Sequence, residues 1–516
     1  MQSLLELVKR GKGADVPLSG RYKDLSAKKS GYLTRGQQYS KFTLPYILPY
    51  SVGLDRGDAG NQHGFQGIGA QAVNHLSNKL TTNMFPIGRS FFKLSFGEEV
   101  EALLKKDNYD PTQLAELLVS AEKRVEKYQT EIGSRVAYVE SFKNLLISGN
   151  VLIHLPATGN LQAIKLDRYC VKRNLSGELV ELMIMEEKEF STLSKYLRER
   201  IKVLRKEKSP EEDAAVKIYT WVYLIDGQYA VAQSVEDVLI KDVEYISKDE
   251  LPWFPLRWNA TYGEDYGRGL VEDHSGDFYV IEFLSEAIAK GMALMADIKY
   301  LIKPGSVTDI DAIATAPTGE WVFGQLDDIG VLQLEKYADF TPISEVLTKY
   351  ERRIGQAFLI NSAMRRDAER VTTLELKLDA TELEVSLGGN YSLLSQTYLT
   401  PLANIYLYRV NFPFPKGVVP TIISGLAVFG EAGELDKLYQ FTEMMQLPRE
   451  WPEQVQGRVK WNIYARDIAA NLSMTLSFMM SDEEFAKKNA AEQGKQDDDL
   501  VKETVAGAVP NIIDKV

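Results

Sequence analysis

Three arginines within six residues, Arg365, Arg366 and Arg370 in "AMRRDAERVTT", stand in a chain that is acidic overall. They share the segment with Asp367 and Glu369, so three cations against two anions leave one net positive charge there. No nucleophile–base pair accompanies them. What guanidinium groups on a polar segment can do is hold phosphate or carboxylate oxygens as fixed charges. The 516-residue chain carries 60 Lys and Arg against 72 Asp and Glu, a net charge of −12. A surface of that sign repels a nucleic-acid backbone, so any phosphate contact has to be local.

Other chemistry leaves little trace. There is no GxxxxGK[ST], so the chain is not a P-loop motor, and neither HExxH nor GxSxG occurs. The histidines His63, His75, His154 and His274 lack metal-ligand spacing, and Cys170 is the one cysteine, which rules out an internal disulfide and any CxxC zinc site. With no matching His and Asn pattern, Cys170 reads as a small buried hydrophobe. Gly64, Gly67 and Gly69 form GxxGxG rather than GxGxxG, with no buried strand before them, and read as a flexible helix entry. The carboxylates of "GEEVE" and "DDD" read as solvated surface, since a two-metal site needs convergence in the fold. No enzyme, metal or other cofactor is expected. The opening "MQSLLELVKRGKGADV" has only a broken apolar run, no stretch reaches membrane-spanning length, and an unprocessed protein of a reducing compartment is expected.

The arginines need elements to hold them. Upstream, Ile281, Leu284, Ile288, Met292 and Met295 recur at steps of three and four between Asp277 and Lys299, which predicts a helix ~37 Å long. Residues 302–340 lose that period; Pro304, Gly305, Pro317, Gly319 and Gly324 mark turns, and "EWVFG" and "GVLQLEKY" read as short strands. A helix restarts at Thr341-Pro342 with Ile343, Leu347, Tyr350, Ile354 and Ala357 on one face. Lys349, Arg352 and Arg353 sit off that stripe. Asn361 and Ser362 end the helix, and a capping box at Thr372 and Glu375 starts the next, so the arginine segment is a short tether between two rods. That next helix carries Leu376, Ala380, Leu383 and Leu387 and bends near Gly388-Gly389 and Pro401.

Around this core the pattern is mixed. Residues 64–86 predict a helix with Ile68, Ala72, His75, Leu76 and Leu80 on one face. Residues 112–150 predict a long helical region broken at Gly149-Asn150, and "VLIHLP", "LQAIKLDRYCVKR", "LVELMIMEEKEF", "VKIYTWVYLI" and "FPLRWNATY" predict strands in meander order. The basic run "KYLRERIKVLRKEKSPEED" reads as an exposed helix with its cations solvated. Three short helices are expected at 431–447, 451–471 and 481–494. The fold class is α+β, mainly helical.

Several of these blocks, in order, resemble the portal or head-to-tail connector proteins of short-tailed bacteriophages: "QQYSKFTLPYILP", "GIGAQAVNHLSNKLTTNMFP", "FKNLLISGNVLIHLP", "YGEDYGRGLVED", "GVLQLEKYADFT" and "FLINSAMRRDAERVTTLEL…LGGNYSLLSQ". The resemblance covers about residues 31–427. It implies an α+β wing at 1–275, a first stem helix at 276–301, a clip at 302–341, a second stem helix at 342–360 and a tunnel loop at 361–371. A long wing helix with its return segment would follow at 372–427, then a helical crown at 428–490 and a flexible tail at 491–516. It further implies a ring, usually of twelve subunits, at the capsid vertex and head–tail junction, assembled in the host cytoplasm. Double-stranded DNA would pass through it without sequence recognition. Its other partners would be the terminase packaging ATPase, a tail adaptor protein, capsid and scaffolding proteins, and in some phages internal core proteins, with no integral membrane association.

On that resemblance Arg365, Arg366 and Arg370 would line the channel as rings of charge, and Lys349, Arg352 and Arg353 would face the channel or the neighbouring subunit. Two other readings compete: a metal-dependent nuclease or other DNA-processing enzyme using clustered carboxylates, and a helical adaptor that binds protein only.

Overall fold

The computed structural model describes residues 17–50, 64–88, 90–95, 111–195, 215–235, 237–240, 243–296, 299–305, 307–332, 337–360, 385–387, 389–412, 421–424, 440–446 and 458–471, with isolated positions 6, 198, 199, 202, 383 and 454. The chain folds as two compact units, Met1–Val428 and Phe429–Val516.

The first unit begins with helix α1, Leu18–Phe42, followed by α2, Ile68–Met84, and strand β1, Phe92–Ser95. The long helical region comes as two helices, α3 at Pro111–Glu131 and α4 at Ser134–Ser148, parted at Gly133 in a left-handed conformation. From Asn144 to Gly149 every residue of the chain is buried. A helix end without a wet face has to be surrounded, and α4 is the element the unit is packed around.

Next come β2, Asn150–His154, and β3, Gln162–Ile164, then β4, Tyr169–Arg173, and β5, Leu179–Glu189. Strands β6, Ala215–Ile225, and β7, Gln228–Val235, follow, with short β8, Val238–Leu239, β9, Glu244–Ile246, and β10, Trp253–Arg257. Strands β4 to β8 run in sequence order as an antiparallel meander, with β9 also on β7, while β10, β2 and β3 form a separate three-stranded sheet. The meander was legible; β7 was not, because the Gln and Ser of "QYAVAQSV" dilute its alternation.

Helix α1 covers the meander. Leu18, Tyr22 and Leu25 pack with Cys170, Met183, Tyr219 and Trp221 in one buried cluster. The next residue on that face is Lys29, also buried, whose ammonium donates to the carbonyls of Leu166 (2.8 Å) and Tyr169 (2.7 Å), with Asp167 O at 3.3 Å. Main-chain oxygens thus solvate a charge that water cannot reach. Arg21 makes a two-pronged contact to the fully buried Glu181 (2.9 and 2.6 Å), whose Oε1 also accepts from the Trp221 indole (2.9 Å). Cys170 is buried here, and burial pushes its thiol pKa up, as expected of a packing residue.

The far side of α4 meets the chain's later helices. Phe85 stacks on Tyr138 with centroids 3.6 Å apart, and Tyr398 crosses Phe85 edge-on at 5.4 Å. The Tyr138 and Tyr406 hydroxyls are 2.8 Å apart, and Ser134 Oγ lies 3.1 Å from the second. This satisfied aromatic cluster ties residues 85–142 to residues 398–406.

At the end of α4 three glycines let backbones touch. Gly149 is left-handed, φ +74°, and a Cβ there would lie 2.3 Å from the Arg268 carbonyl carbon; one on Gly269 would lie 2.6 Å from Leu146 O. Asn150 locks the same contact, accepting from Gly267 N (2.7 Å) and donating to Gly267 O (2.8 Å). Similarly, a Cβ on Gly69 would sit 2.1 Å from Phe42 O, so that glycine serves the packing of α2 against α1.

The chain continues through α5, Leu270–Asp273, into α6, Ser275–Ala296, then β11, Lys299–Ile302, α7, Ile310–Thr315, β12, Ile329–Leu332, and α8, Tyr337–Ala357. Beyond it lie α9, Asn390–Leu394, a π-helical turn Ser395–Leu399, α10, Thr400–Val410, and β13, Thr421–Ser424, which pairs with β1. In the second unit, helix α11, Trp461–Asn471, buries Ala465, Ile468 and Ala469 against Phe441.

Gly149→Ala should lower the melting temperature sharply, at a cost of ~3 kcal/mol or more from backbone strain and collision. Gly88→Ala, also left-handed at φ +71° but in open space, should cost only ~1–2 kcal/mol. Equal effects on thermal unfolding would show that the Arg268 contact does not constrain the fold.

Candidate functional site: the helix pair and its insert

Helices α6 and α8 form an antiparallel pair. Their near ends meet where Phe278 crosses Phe358 edge-on at 5.8 Å, beside buried Ile281 and Ile354. Their far ends lead into the antiparallel ribbon of β11 and β12, with Lys299 opposite Leu332 and Ile302 opposite Ile329. Helix α6 spans ~33 Å and α8 ~31 Å at the usual rise.

The pair buries its apolar residues at one end only. Of the α6 stripe, Ile281 is buried, Leu284 and Ile288 are half-buried, and Met292 is exposed. On α8, Ile354 is buried, whereas Ile343, Leu347 and Tyr350 are half-buried. Tyr279 (60%) and Phe283 (59%) lie exposed one turn apart on α6, with Val346 exposed on α8. Two amphipathic rods on their own have too little partner surface to cover such stripes.

Helix α8 begins at Tyr337, not at Thr341-Pro342, and holds Pro342 inside it. Proline's fixed φ suits a helix; it removes one N–H near the start, where few intrahelical bonds are lost.

The insert between the helices also departs from expectation. Residues 320–324, "EWVFG", form no strand; Gly330 to Leu332 of "GVLQLEKY" lie in β12, and residues 333–336 are outside the described residues. The six-residue helix α7 was not anticipated; Asp309 caps it, accepting from Asp311 N (3.1 Å) and Ala312 N (3.2 Å). Buried Thr308 ties the base of the insert, donating to Asp328 Oδ2 (2.8 Å) and accepting from Gln325 N (3.0 Å). Beyond that clasp Trp321 is 98% exposed and Phe323 96%. The sequence predicts a short strand at "EWVFG" and does not single out these aromatics as contact residues; the available signal is a Trp and a Phe between two glycines.

The six arginine and lysine candidates divide. Arg365, Arg366 and Arg370 lie outside the described residues, as does the capping box at Thr372 and Glu375. Lys349 and Arg352 are exposed on α8. Arg353 is 62% exposed and pairs within the chain: its Nη2 lies 3.1 Å from Oδ1 of the mostly buried Asp277 on α6, and its guanidinium covers the Tyr350 ring at 5.2 Å. Asp277 Oδ2 is also 4.0 Å from His274 Nδ1. Arg353 thus pins the near ends of the pair. The "GEEVE" and "DDD" carboxylates are likewise outside the described residues; among the described residues no group of three His, Cys, Asp or Glu is placed to hold a metal ion, and no helix is long and apolar enough to cross a membrane.

The family model of the bacteriophage head to tail connecting protein matches residues 17–480. The portal protein of Enterobacteria phage SP6 is 41% identical over 495 residues, 95% of each chain. The portal protein of Escherichia phage T7 is 34% identical over 436 residues, 81% of this chain and 80% of that one. Among solved structures, the neck of the native gene transfer agent particle, computed with C12 symmetry, shows a TM-score of only 0.32 at 11% identity, covering 75% of this chain and 96% of that chain. The chain belongs to the bacteriophage head to tail connecting family, on the strength of the sequence matches. Its function is that of a portal protein, a structural component of the virion at the head–tail junction.

A double-mutant cycle of Arg353→Gln with Asp277→Asn, read by thermal unfolding, should return a coupling of about 0.5–1 kcal/mol. Strict additivity would show that the ion pair does not hold the two helices.

Proposed function

We propose that the chain closes with copies of itself into a ring, twelve subunits by the family's usual plan, around a channel for double-stranded DNA. Helices α6 and α8 are its stem, the insert from residue 302 to the start of α8 its clip, 361–371 its tunnel loop, 372–427 its long wing helix and return, and 428–490 its crown. The observation that carries the reading is the helix pair whose apolar stripes are covered at one end only: lateral neighbours supply the missing surface. A heterologous contact repeated around an axis closes a ring and multiplies each exposed charge by the symmetry.

In such a ring Arg365, Arg366 and Arg370 make a band of positive charge near the passing phosphates, and the acidic remainder of the chain keeps the grip weak. A weak, sequence-independent contact lets DNA slide, whereas many strong ones would hold it. Lys349 and Arg352 are the stem cations left for the channel or the neighbour, since Arg353 is engaged by Asp277. The clip, with Trp321 and Phe323 on its surface, docks the packaging ATPase and later the tail adaptor, because large exposed aromatics at the end of an anchored loop suit a partner's pocket. Capsid and scaffolding proteins join the assembly in the host cytoplasm, and energy for DNA movement comes from the separate ATPase.

Arg365→Gln, Arg366→Gln and Arg370→Gln together should leave ring assembly intact and lower DNA packaging or retention in particles. Packaging and retention equal to wild type would remove these residues from the channel role. Trp321→Ala with Phe323→Ala should leave the ring intact and weaken capture of the purified packaging ATPase by about tenfold or more, as loss of a hot-spot aromatic does. Unchanged capture would move the docking surface elsewhere.

A further inference from the structure

A second feature lies away from the helix pair. Between the meander, strand β10 and the π-helical turn is a cavity of about 330 Å³, lined among others by Arg173, Arg257, Lys248, Tyr229, Trp253 and Thr397. That is the lower end of the range for small-ligand sites.

Its two guanidinium groups both reach Gly177, and among the described residues neither is hydrogen-bonded to a carboxylate. Arg173 donates to three main-chain oxygens, Asp265 O (3.1 Å), Gly177 O (3.0 Å) and Pro255 O (2.6 Å). Arg257 Nη1 donates to a fourth, Glu264 O (2.8 Å). Gly177 is left-handed, φ +83°, and a Cβ added there would lie 3.0 Å from Arg257 Nη2.

The nearby acids Asp265 and Glu264 offset part of the charge from a distance, and their printed hydrogen bonds and ion pairs go to other groups. Asp265 Oδ1 accepts from the Arg173 main-chain N–H (2.6 Å), Glu264 Oε1 pairs with Arg268 (3.0 Å), and Glu178 pairs with Lys248 at the rim. Burial, and then the neighbouring Arg257, push the Arg173 pKa down to about 10. The Arg257 pKa is also lowered, mainly by burial. Two like charges in a partly dry place are stabilised most by an anion set between them.

The opposite wall supports a ligand as well. Leu393, Thr397 and Pro401 line it, and the turn Ser395–Leu399 is π-helical, a form that is rare and concentrated at functional sites.

We propose that this cavity binds an oxyanion of the phosphate class, with Arg257 as its ligating fork and Arg173 fixing the charge behind it. The anion can come from free inorganic phosphate or from a terminal phosphate on a nucleic-acid end. Bound there, it bridges the β10 strand to the π turn and so joins the sheets to the helix that follows residue 389.

The test is calorimetric titration of the full-length protein with sodium phosphate against sodium chloride at matched ionic strength. A second arm compares a short oligonucleotide with and without a 5′-phosphate. Saturable binding of phosphate, of the 5′-phosphorylated oligonucleotide over its unphosphorylated twin, or of both is expected, and the pattern identifies the source. Arg257→Gln should weaken binding by about tenfold or more, the loss of a charge-assisted hydrogen bond. Should that variant fail to fold, Arg257→Lys keeps the charge without the fork and should bind measurably more weakly than wild type. No saturable binding beyond the chloride control in either arm, or affinity unchanged in the folded Arg257 variant, would overturn the proposal.

Discussion

Helix α4 ends in a stretch with no residue exposed, and most of the first unit can be understood as what it takes to surround that stretch. Helices α1 and α2 close one side, and the Phe85–Tyr138–Tyr398–Tyr406 cluster closes another. The end of the helix cannot fray into water, because Gly149 turns it against the Arg268 main chain, whose carbonyl carbon would lie 2.3 Å from a Cβ on the glycine. The chain from Gly267 to Gly269 lies on that turn, and helix α6 starts six residues later. The direction in which the helix pair leaves the unit is therefore set by a backbone-to-backbone contact that only glycine permits.

The pair itself has the opposite character. Its near ends are held by Phe278 on Phe358 and by Arg353 on Asp277, while Tyr279, Phe283 and Met292 on α6 and Val346 on α8 are exposed. Covering a side chain such as Tyr279 or Phe283 is worth roughly 1.5–3 kcal/mol when burial is complete. Repeated at every contact around a closed ring, such terms favour association, and the close-packed core of each subunit supplies a stiff frame for it.

Much of this was legible in the sequence, and the failures have physical causes. The meander showed as runs of β-branched and aromatic residues; β7 escaped because Gln228, Gln233 and Ser234 sit on a strand flanked by others, where pairing rather than propensity decides. The helix pair showed through its stripes, but the start of α8 did not, because proline inside the early turns looked like a boundary. "EWVFG" predicts a short strand that does not form, because a Trp and a Phe alternating with other residues resemble a strand whether or not a partner strand is there to pair with them. The pairing of Arg353 with Asp277 joins residues far apart in sequence, so no local pattern could announce it. Arg365, Arg366 and Arg370 stand out by composition alone, as positive charge in an acidic chain, and lie outside the described residues.

In the proposed ring, lateral neighbours cover the exposed stripes of α6 and α8. Native mass spectrometry of the purified chain at moderate salt tests it most directly. With a 58.1 kDa subunit, a twelve-membered ring should appear as a discrete species near ~700 kDa. A monomer or dimer at every concentration tried would contradict the ring and, with it, the role assigned to the helix pair.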